Sequence, residues 1–325
     1  MHRVKTEFTP GDLIADRYEV RRVLGRGGMG RVYLVTDRET GQRLALKTIL
    51  PQYAANEYAV RRFIREVTAI RRFNHPAIVK IYDARRVGPL MFYTMDYVQG
   101  KSLRDWLSER GRLGLGSTVR ILALLAHALE HAHQFTIHRD ISPENVMILS
   151  NGTIRLLDFG LVKLTDADAA FTRIGISLGK QHYQAPEQRA SAAEVDPRAD
   201  IYSMGVLFYE MLSGKLPFPD VPLTELVPNL PSQCDGFVAK AMADLPEKRF
   251  ATAREFRLAL MDIYDQATGP KPPEAQPPAP EPLAREASQQ VARPPMAAPA
   301  RLAAVWARPG EWWRRLVRWR QRRGG

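Results

Sequence analysis

His138-Arg139-Asp140-Ile141-Ser142-Pro143-Glu144-Asn145 is the stretch on which the reading of this chain turns, with Asp158-Phe159-Gly160 arriving eighteen residues after Asp140. Ala185-Pro186-Glu187 and Asp200-Ile201-Tyr202-Ser203-Met204-Gly205 follow further on. Each string alone is short enough to occur by chance. Their order and spacing carry the information, because a chance match to the whole set is negligible.

Working outward from that stretch toward the N-terminus, Gly25-Arg26-Gly27-Gly28-Met29-Gly30 is a G-x-G-x-x-G element. It lies between two strand-like runs rather than between a strand and a helix. That placement argues against a dinucleotide-binding turn and for a hairpin folded over phosphates. Glycines there let backbone N–H groups approach an anion closely. Val32, on the next strand, is placed to cover one face of a base. Seventeen residues after Gly30 comes Lys47, in Ala45-Leu46-Lys47. A lysine flanked by apolar strand residues is partly buried and needs an anion, for which a phosphate and a carboxylate are natural partners. Glu66 falls on the following helix, on the face near Phe63 and Ile70. Taken singly, Lys47 and Glu66 read more readily as ordinary surface residues.

The whole set resembles the signature elements of the protein-kinase superfamily. GRGGMGRVY and the SPEN and APEQ contexts are most similar to the bacterial Hanks-type (eukaryotic-like) serine/threonine kinases. The resemblance covers about residues 13–265 and implies an α+β, bilobal protein-kinase fold. A small β-rich N-lobe is expected over about 13–99 and a larger, mainly helical C-lobe over about 100–265. It implies transfer of the ATP γ-phosphate to serine or threonine hydroxyls of protein substrates, with ATP and Mg²⁺ (or Mn²⁺) as cofactors. A pseudokinase scaffold is the main rival, and the presence of Lys47, Glu66, Asp140, Asn145 and Asp158 speaks against it. A small-molecule phosphotransferase is a lesser rival, set aside on the Ala-Pro-Glu segment.

The same resemblance assigns roles. Lys47 would hold the α- and β-phosphates and pair with Glu66. Asn145 and Asp158 would hold the metal, and Asp140 would accept or orient the substrate hydroxyl proton. Leu24, Gly25, Gly27, Gly28 and Gly30 would roof the nucleotide. Val32, Ala45 and Met147 would sandwich the base, behind a gatekeeper Met95 and a hinge of Asp96, Tyr97 and Val98. Ile70, Ile81, Phe159 and His138 would stack as an apolar spine anchored on Asp200, and Glu187 would pair with Arg249 as a structural brace. Thr172, Ser177 and Thr165 are candidate activation-loop phosphorylation sites, because Arg139 beside the catalytic aspartate commonly grips such a phosphate.

Three departures stand out. Ser142 occupies the place of the usual lysine two residues after Asp140, and Lys180 stands where the loop before Ala185 usually has a threonine. In the family these two positions are neighbours, so the pair reads as a reciprocal exchange. Lys180, on its long stem, is expected to reach Asp140, with Ser142 as the small hydrogen-bonding group. The third departure is the short connection from Phe218 to Leu230, expected to lack a full surface helix.

Around these motifs the coarse pattern is strands over YEVRRVLG, RVYLVTDR, RLALKTIL, AIVKIYDAR and LMFYTMDYV, with a helix over roughly Asn56–Phe73 between the third and fourth. After Gly100 the periodicity turns helical. Of the 325 residues, 45% are hydrophobic, which suffices for a large core. The single cysteine, Cys234, permits no intramolecular disulfide and suits a reducing, cytoplasmic setting. No apolar run is long enough to span a bilayer, and the N-terminus shows no signal-peptide core. Residues 1–12 read as an N-terminal extension and 266–305 as a Pro/Ala-rich disordered linker. Residues 306–325 form a basic tail in which EWWRRLVRWRQRR sets tryptophans opposite arginines. That is the pattern of an interfacial helix for an anionic membrane surface, here the inner face. An acidic protein or nucleic acid is the rival partner. Residues 266–325 hold a surplus of +7 out of a net +12.

Overall fold

A computed structural model describes residues 7–27, 30–50, 57–159, 180–190, 195–218 and 221–269. Near the N-terminus the chain builds a six-stranded antiparallel sheet in the order β1-β2-β3-β4-β6-β5. Its strands are β1 (Leu13–Ile14), β2 (Tyr18–Gly27), β3 (Gly30–Asp37), β4 (Arg43–Ile49), β5 (Ile81–Val87) and β6 (Leu90–Asp96). β6 sits between β4 and β5 and is buried from Met91 to Met95, as an apolar run covered on both faces must be. Helix α1 (Glu57–Ile70) lies between β4 and β5 in sequence and packs on β5. Its apolar stripe, Val60, Phe63, Val67 and Ile70, is buried at helical spacing, and that burial, more than intrinsic propensity, holds a helix of this length.

The expected N-terminal extension is in part a piece of this lobe. Phe8 is buried against Tyr33 at 5.8 Å between ring centroids, and its N–H meets the Tyr33 hydroxyl. Gly11 and Asp12 exchange backbone hydrogen bonds with Val20. Only residues 1–6 of that extension lie outside the described residues.

The rest of the chain is mainly helical. Helix α2 (Leu103–Arg110) opens with a capping box in which Ser102 and Asp105 satisfy each other's backbone N–H groups. Helix α3 (Leu115–Ala132) precedes the catalytic stretch, and the short strands β7 (Lys101–Ser102), β8 (Val146–Ile148) and β9 (Ile154–Leu156) form a small sheet beside it. Helices α4 (Pro186–Ala190), α5 (Arg198–Ser213), α6 (Leu223–Leu226), α7 (Gln233–Ala241) and α8 (Ala253–Thr268) follow. From Ala199 to Leu212 every residue of α5 is buried, so this helix is the axis on which the lobe packs. It stops at Gly214, whose φ of 75° is left-handed, a backbone state that glycine adopts without steric cost. The connection after Phe218 holds a four-residue helix, α6, in line with its short length. Helix α8 continues to Thr268, a few residues past the expected edge of the domain.

Candidate active site

The antiparallel register of β4 and β6 sets the first half of the site. Lys47 lies opposite Tyr93, Ala45 opposite Met95 and Leu44 opposite Asp96. Directly opposed residues put their side chains on one face of a sheet, so this register aims Lys47 and Tyr93 the same way. β2 and β3 fold over that face as a hairpin closing at Gly27 and Gly30. A Cβ at Gly30 would stand 1.8 Å from the Thr48 carbonyl oxygen, so the close approach of β3 to β4 there requires glycine.

The second half comes from the turns around His138–Asn145 and Asp158. Fully buried Asp200, in the first turn of α5, accepts hydrogen bonds from the backbone N–H groups of His138 and Arg139, both at 2.8 Å. The His133 Nε2 lies 2.9 Å from the same carboxylate. Burial pushes the Asp200 carboxyl up, but His133 and these donors hold it below the usual carboxylate range. Arg139 (φ 62°) and Asp158 (φ 42°) both sit in the left-handed region. Such conformations cost about 1–3 kcal/mol and persist where surrounding contacts over-determine them. At Arg139 the grip of Asp200 on the backbone is one such contact.

Between the two halves lies a cavity of about 670 Å³. Leu24, Gly25, Gly27, Gly30, Val32, Ala45, Lys47, Met95, Asp96, Val98, Asp140, Asn145, Met147, Asp158 and Lys180 all line it, so nearly every residue expected to touch nucleotide, metal or acceptor meets the same space. Gly28 lies outside the described residues, as do Thr165, Thr172 and Ser177. The side chain of Glu66 is likewise outside them, although its backbone belongs to α1. Ser142 does not line the cavity. Its hydroxyl is buried and, among the described residues, makes no hydrogen bond to Asp140 or Lys180.

The charged groups in the cavity are closely paired. The Lys47 Nζ donates to Asp158 Oδ2 at 2.7 Å. Burial pushes the Asp158 carboxyl up, yet Lys47 beside it, with Tyr93 and Lys180, holds it below its ordinary value. The Lys180 Nζ donates to Asp140 Oδ2 at 3.1 Å. Burial lowers the Lys180 ammonium, but Asp140 outweighs burial and keeps it charged above the ordinary lysine value. Asn145 Nδ2 donates to the Asp140 backbone oxygen at 2.7 Å and to its Oδ2 at 2.9 Å. With both donor contacts spent on Asp140, the amide oxygen of Asn145 is the group left for a ligand. An amide oxygen and a carboxylate lining one cavity are a hard, all-oxygen donor set of the kind Mg²⁺ takes when it shares its shell with phosphates.

The expected brace is in place, and of the expected spine the structure shows the His138–Phe159 contact and the burial of all four residues. The His138 and Phe159 rings are 4.5 Å apart, and Ile70, Ile81, His138 and Phe159 are all buried. Glu187 and Arg249 form a bidentate pair at 2.6 and 2.8 Å. Two features were not expected. Arg104 on α2 joins Glu144, Glu210 and Tyr183 at 2.8, 2.7 and 2.7 Å, a network under the cavity that residue patterns give no reason to suspect. The other is Tyr93, whose hydroxyl meets Asp158 Oδ1 at 2.5 Å. The register that sets it opposite Lys47 comes from the structure, and no residue pattern marks it.

A β-sheet lobe and a helical lobe enclosing a cavity with this set of residues define the bilobal protein-kinase fold. The family description "Protein kinase domain" matches residues 18–256, and the chain belongs to that family. A probable serine/threonine-protein kinase of Clostridium perfringens is 34% identical over 75% of this chain and 38% of its own length. Serine/threonine-protein kinase PknB of Mycobacterium tuberculosis is 34% identical over 82% of this chain and 45% of its own. The chain thus spans less than half the length of these curated relatives. Among solved structures, the Mycobacterium tuberculosis PknI kinase domain is similar at a TM-score of 0.67 with 32% identity, covering 79% of this chain and 99% of that one. These relatives place the chain with the bacterial Hanks-type kinases.

Proposed function

We propose that this chain catalyses transfer of the ATP γ-phosphate to serine or threonine hydroxyls of protein substrates. The observation that carries the reading is the convergence of Lys47, Asp140, Asn145, Asp158 and Lys180 on one cavity roofed by the glycine hairpin. Phosphoryl transfer asks for positioning and charge neutralisation more than covalent chemistry, and these residues supply both. Val32, Ala45 and Met147, with the Asp96–Val98 hinge, line the part of the cavity that would take the base. Lys47 would bind the phosphates, and Asn145 and Asp158 would hold Mg²⁺. A bound Mg²⁺ supplies charge neutralisation on the phosphate oxygens. Asp140 orients the acceptor hydroxyl and takes its proton as the new O–P bond forms and the bond to the β-phosphate oxygen breaks, releasing ADP. Lys180 supplies, from the loop side, the cation that the family usually places at position 142.

Radiolabelled ATP with the purified chain tests this. Wild type is expected to label itself or a generic protein acceptor, and Asp140→Asn to lose at least about a hundredfold, the scale of a lost transition-state contact. Equal labelling by both forms, or none by wild type, overturns the reading. Autophosphorylation on Thr172, Ser177 or Thr165 belongs to the same proposal, with Arg139 as the phosphate-binding arginine, and phosphopeptide mapping of the labelled chain checks it. For residues 306–325 the alternation of tryptophan and arginine supports docking on an anionic membrane surface. Co-sedimentation with phosphatidylserine vesicles, with and without those residues, decides that part. Among the described residues no helix is long and apolar enough to cross a membrane.

A further inference from the structure

Asp158 is held from two sides, and only one of them is the cavity. Lys47 reaches its Oδ2 from within the cleft, at 2.7 Å. Tyr93 reaches its Oδ1 at 2.5 Å but does not line the cavity. The Tyr93 side chain is 2% exposed, and its ring packs against Phe63 of α1 at 6.1 Å between centroids. The phenol therefore reaches the carboxylate from the same face of the sheet as Lys47, but from the buried side next to α1 rather than from the cleft. Burial and the neighbouring Asp158 carboxylate both push its ionisation well above the usual tyrosine range, so it is a donor at any working pH.

A carboxylate offers two oxygens with about four lone-pair sites. Among the described residues each oxygen takes one donor, which leaves one site on each for a ligand in the cavity. Two donors fix both the position and the plane of the group, where one would leave it free to rotate. Fixing matters at this residue in particular, because its φ of 42° is a strained state that outside contacts must sustain. The register that pairs Lys47 with Tyr93 makes both donors part of one rigid sheet.

We infer that Tyr93 is a positioning residue for the metal site, a buried phenol that fixes the Asp158 carboxylate from behind so that its free lone pairs face the metal and the nucleotide phosphates. The inference rests on the reading of Asp158 as a metal ligand. It also makes α1 a contributor to metal affinity through Phe63, which seats the phenol ring.

The test uses the full chain and reads metal binding without turnover. Thermal unfolding is followed while Mg²⁺ is titrated at saturating adenylyl imidodiphosphate, a non-hydrolysable ATP analogue. Binding of the analogue in EDTA is measured separately. Tyr93→Phe keeps the ring and removes the donor. It is expected to raise the Mg²⁺ midpoint about tenfold, as loss of a hydrogen bond to a charged group implies, while metal-free analogue binding stays within about twofold. Tyr93→Met, which also lacks the donor but repacks the wall differently, is expected to give the same shift. An unchanged midpoint in both variants overturns the inference, as does a midpoint shift matched by an equal loss of metal-free binding. Asp158→Asn separates the two readings. If it raises the midpoint and the Tyr93 variants do not, the positioning role alone falls. If it too leaves the titration unchanged, the metal reading of Asp158 falls and takes the inference with it.

Discussion

Two carboxylate–cation pairs in the helical lobe, Glu187 with Arg249 and Asp140 with Lys180, look alike in outline and differ in every physical respect. Arg249 has a fully buried side chain and spends its fork on both Glu187 oxygens and on the carbonyls of Ala243, Asp244 and Arg198. Lys180 makes one such contact among the described residues, to Asp140 at 3.1 Å, with its side chain 28% exposed on the cavity wall. A planar guanidinium with all its donors satisfied is a structural tie. An ammonium on a flexible stem facing a cavity is suited to follow a charge that moves. The contrast separates residues that hold the lobe together from residues that act in it.

Breaking the first pair gives the largest expected effect on stability. Arg249→Ala leaves the Glu187 charge uncompensated and vacates the carbonyls of Ala243, Asp244 and Arg198. Removing one partner of a buried pair costs about 3–5 kcal/mol. Urea unfolding of the variant is expected to show that loss, and Glu187→Ala a comparable one. Lys180→Ala is expected to change stability by less than about 1 kcal/mol, since a partly exposed pair contributes little. If Lys180→Ala proves as destabilising as Arg249→Ala, the distinction drawn between the two pairs fails.

Activity should rank them the other way. Lys180→Thr is expected to lower phosphoryl transfer about ten- to a hundredfold, through lost stabilisation of developing charge. Ser142→Lys alone is also expected to be harmful, because it forces a cation into a buried site beside one already present. Their combination restores the usual arrangement of the family, with a single cation beside Asp140, and is expected to recover much of the loss, which makes the two changes non-additive. The structure supports one half of this exchange, the reach of Lys180 to Asp140. The buried Ser142 hydroxyl is a spectator in it. Kinetics of the two single variants and the double variant check the point, and strict additivity would show that the positions are independent.

The same contrast explains what could be read from the sequence. Motif residues such as Asp140, Asn145, Asp158 and Lys47 carry their spacing in the chain, and the structure brings them to one cavity. So does the brace, because Glu187 and Arg249 each sit in a recognisable string. The apolar stripe of α1 and the all-round apolar α5 were legible for a different reason, since burial imposes a period that the sequence must keep. Tyr93 and Arg104 were not legible. Each acts through a partner 65 or 40 residues away, and nothing local distinguishes a tyrosine in an apolar strand that fills space from one that holds a carboxylate. Phe8 was missed because one aromatic in a polar N-terminal stretch has no period to announce its burial.

The smallest expected effect comes from a polar contact with no opposite charge in it. His75 Nε2 lies 3.0 Å from His127 Nδ1, and its ring stacks on His131 at 5.5 Å between centroids. Burial, and then His127, His131 and Arg155, bring the His75 pKa down to about 4 from an ordinary 6.5. A histidine whose folded pKa lies below its unfolded value binds a proton more readily in the unfolded chain. Stability from this group is therefore complete above about pH 6.5, falls as pH drops toward 4, and is lost below that. The site is only half-buried, so solvent screening keeps the effect small. His75→Gln, an uncharged partner for His127, is expected to flatten the pH dependence of Tm between about pH 6.5 and 4.5 relative to wild type, with Tm at pH 8 nearly unchanged. Parallel Tm curves for the two proteins over that range would show that His75 does not titrate with folding. Against the two ion pairs this contact is the useful reference, because its response to acid has the sign of a charge being created where none is matched.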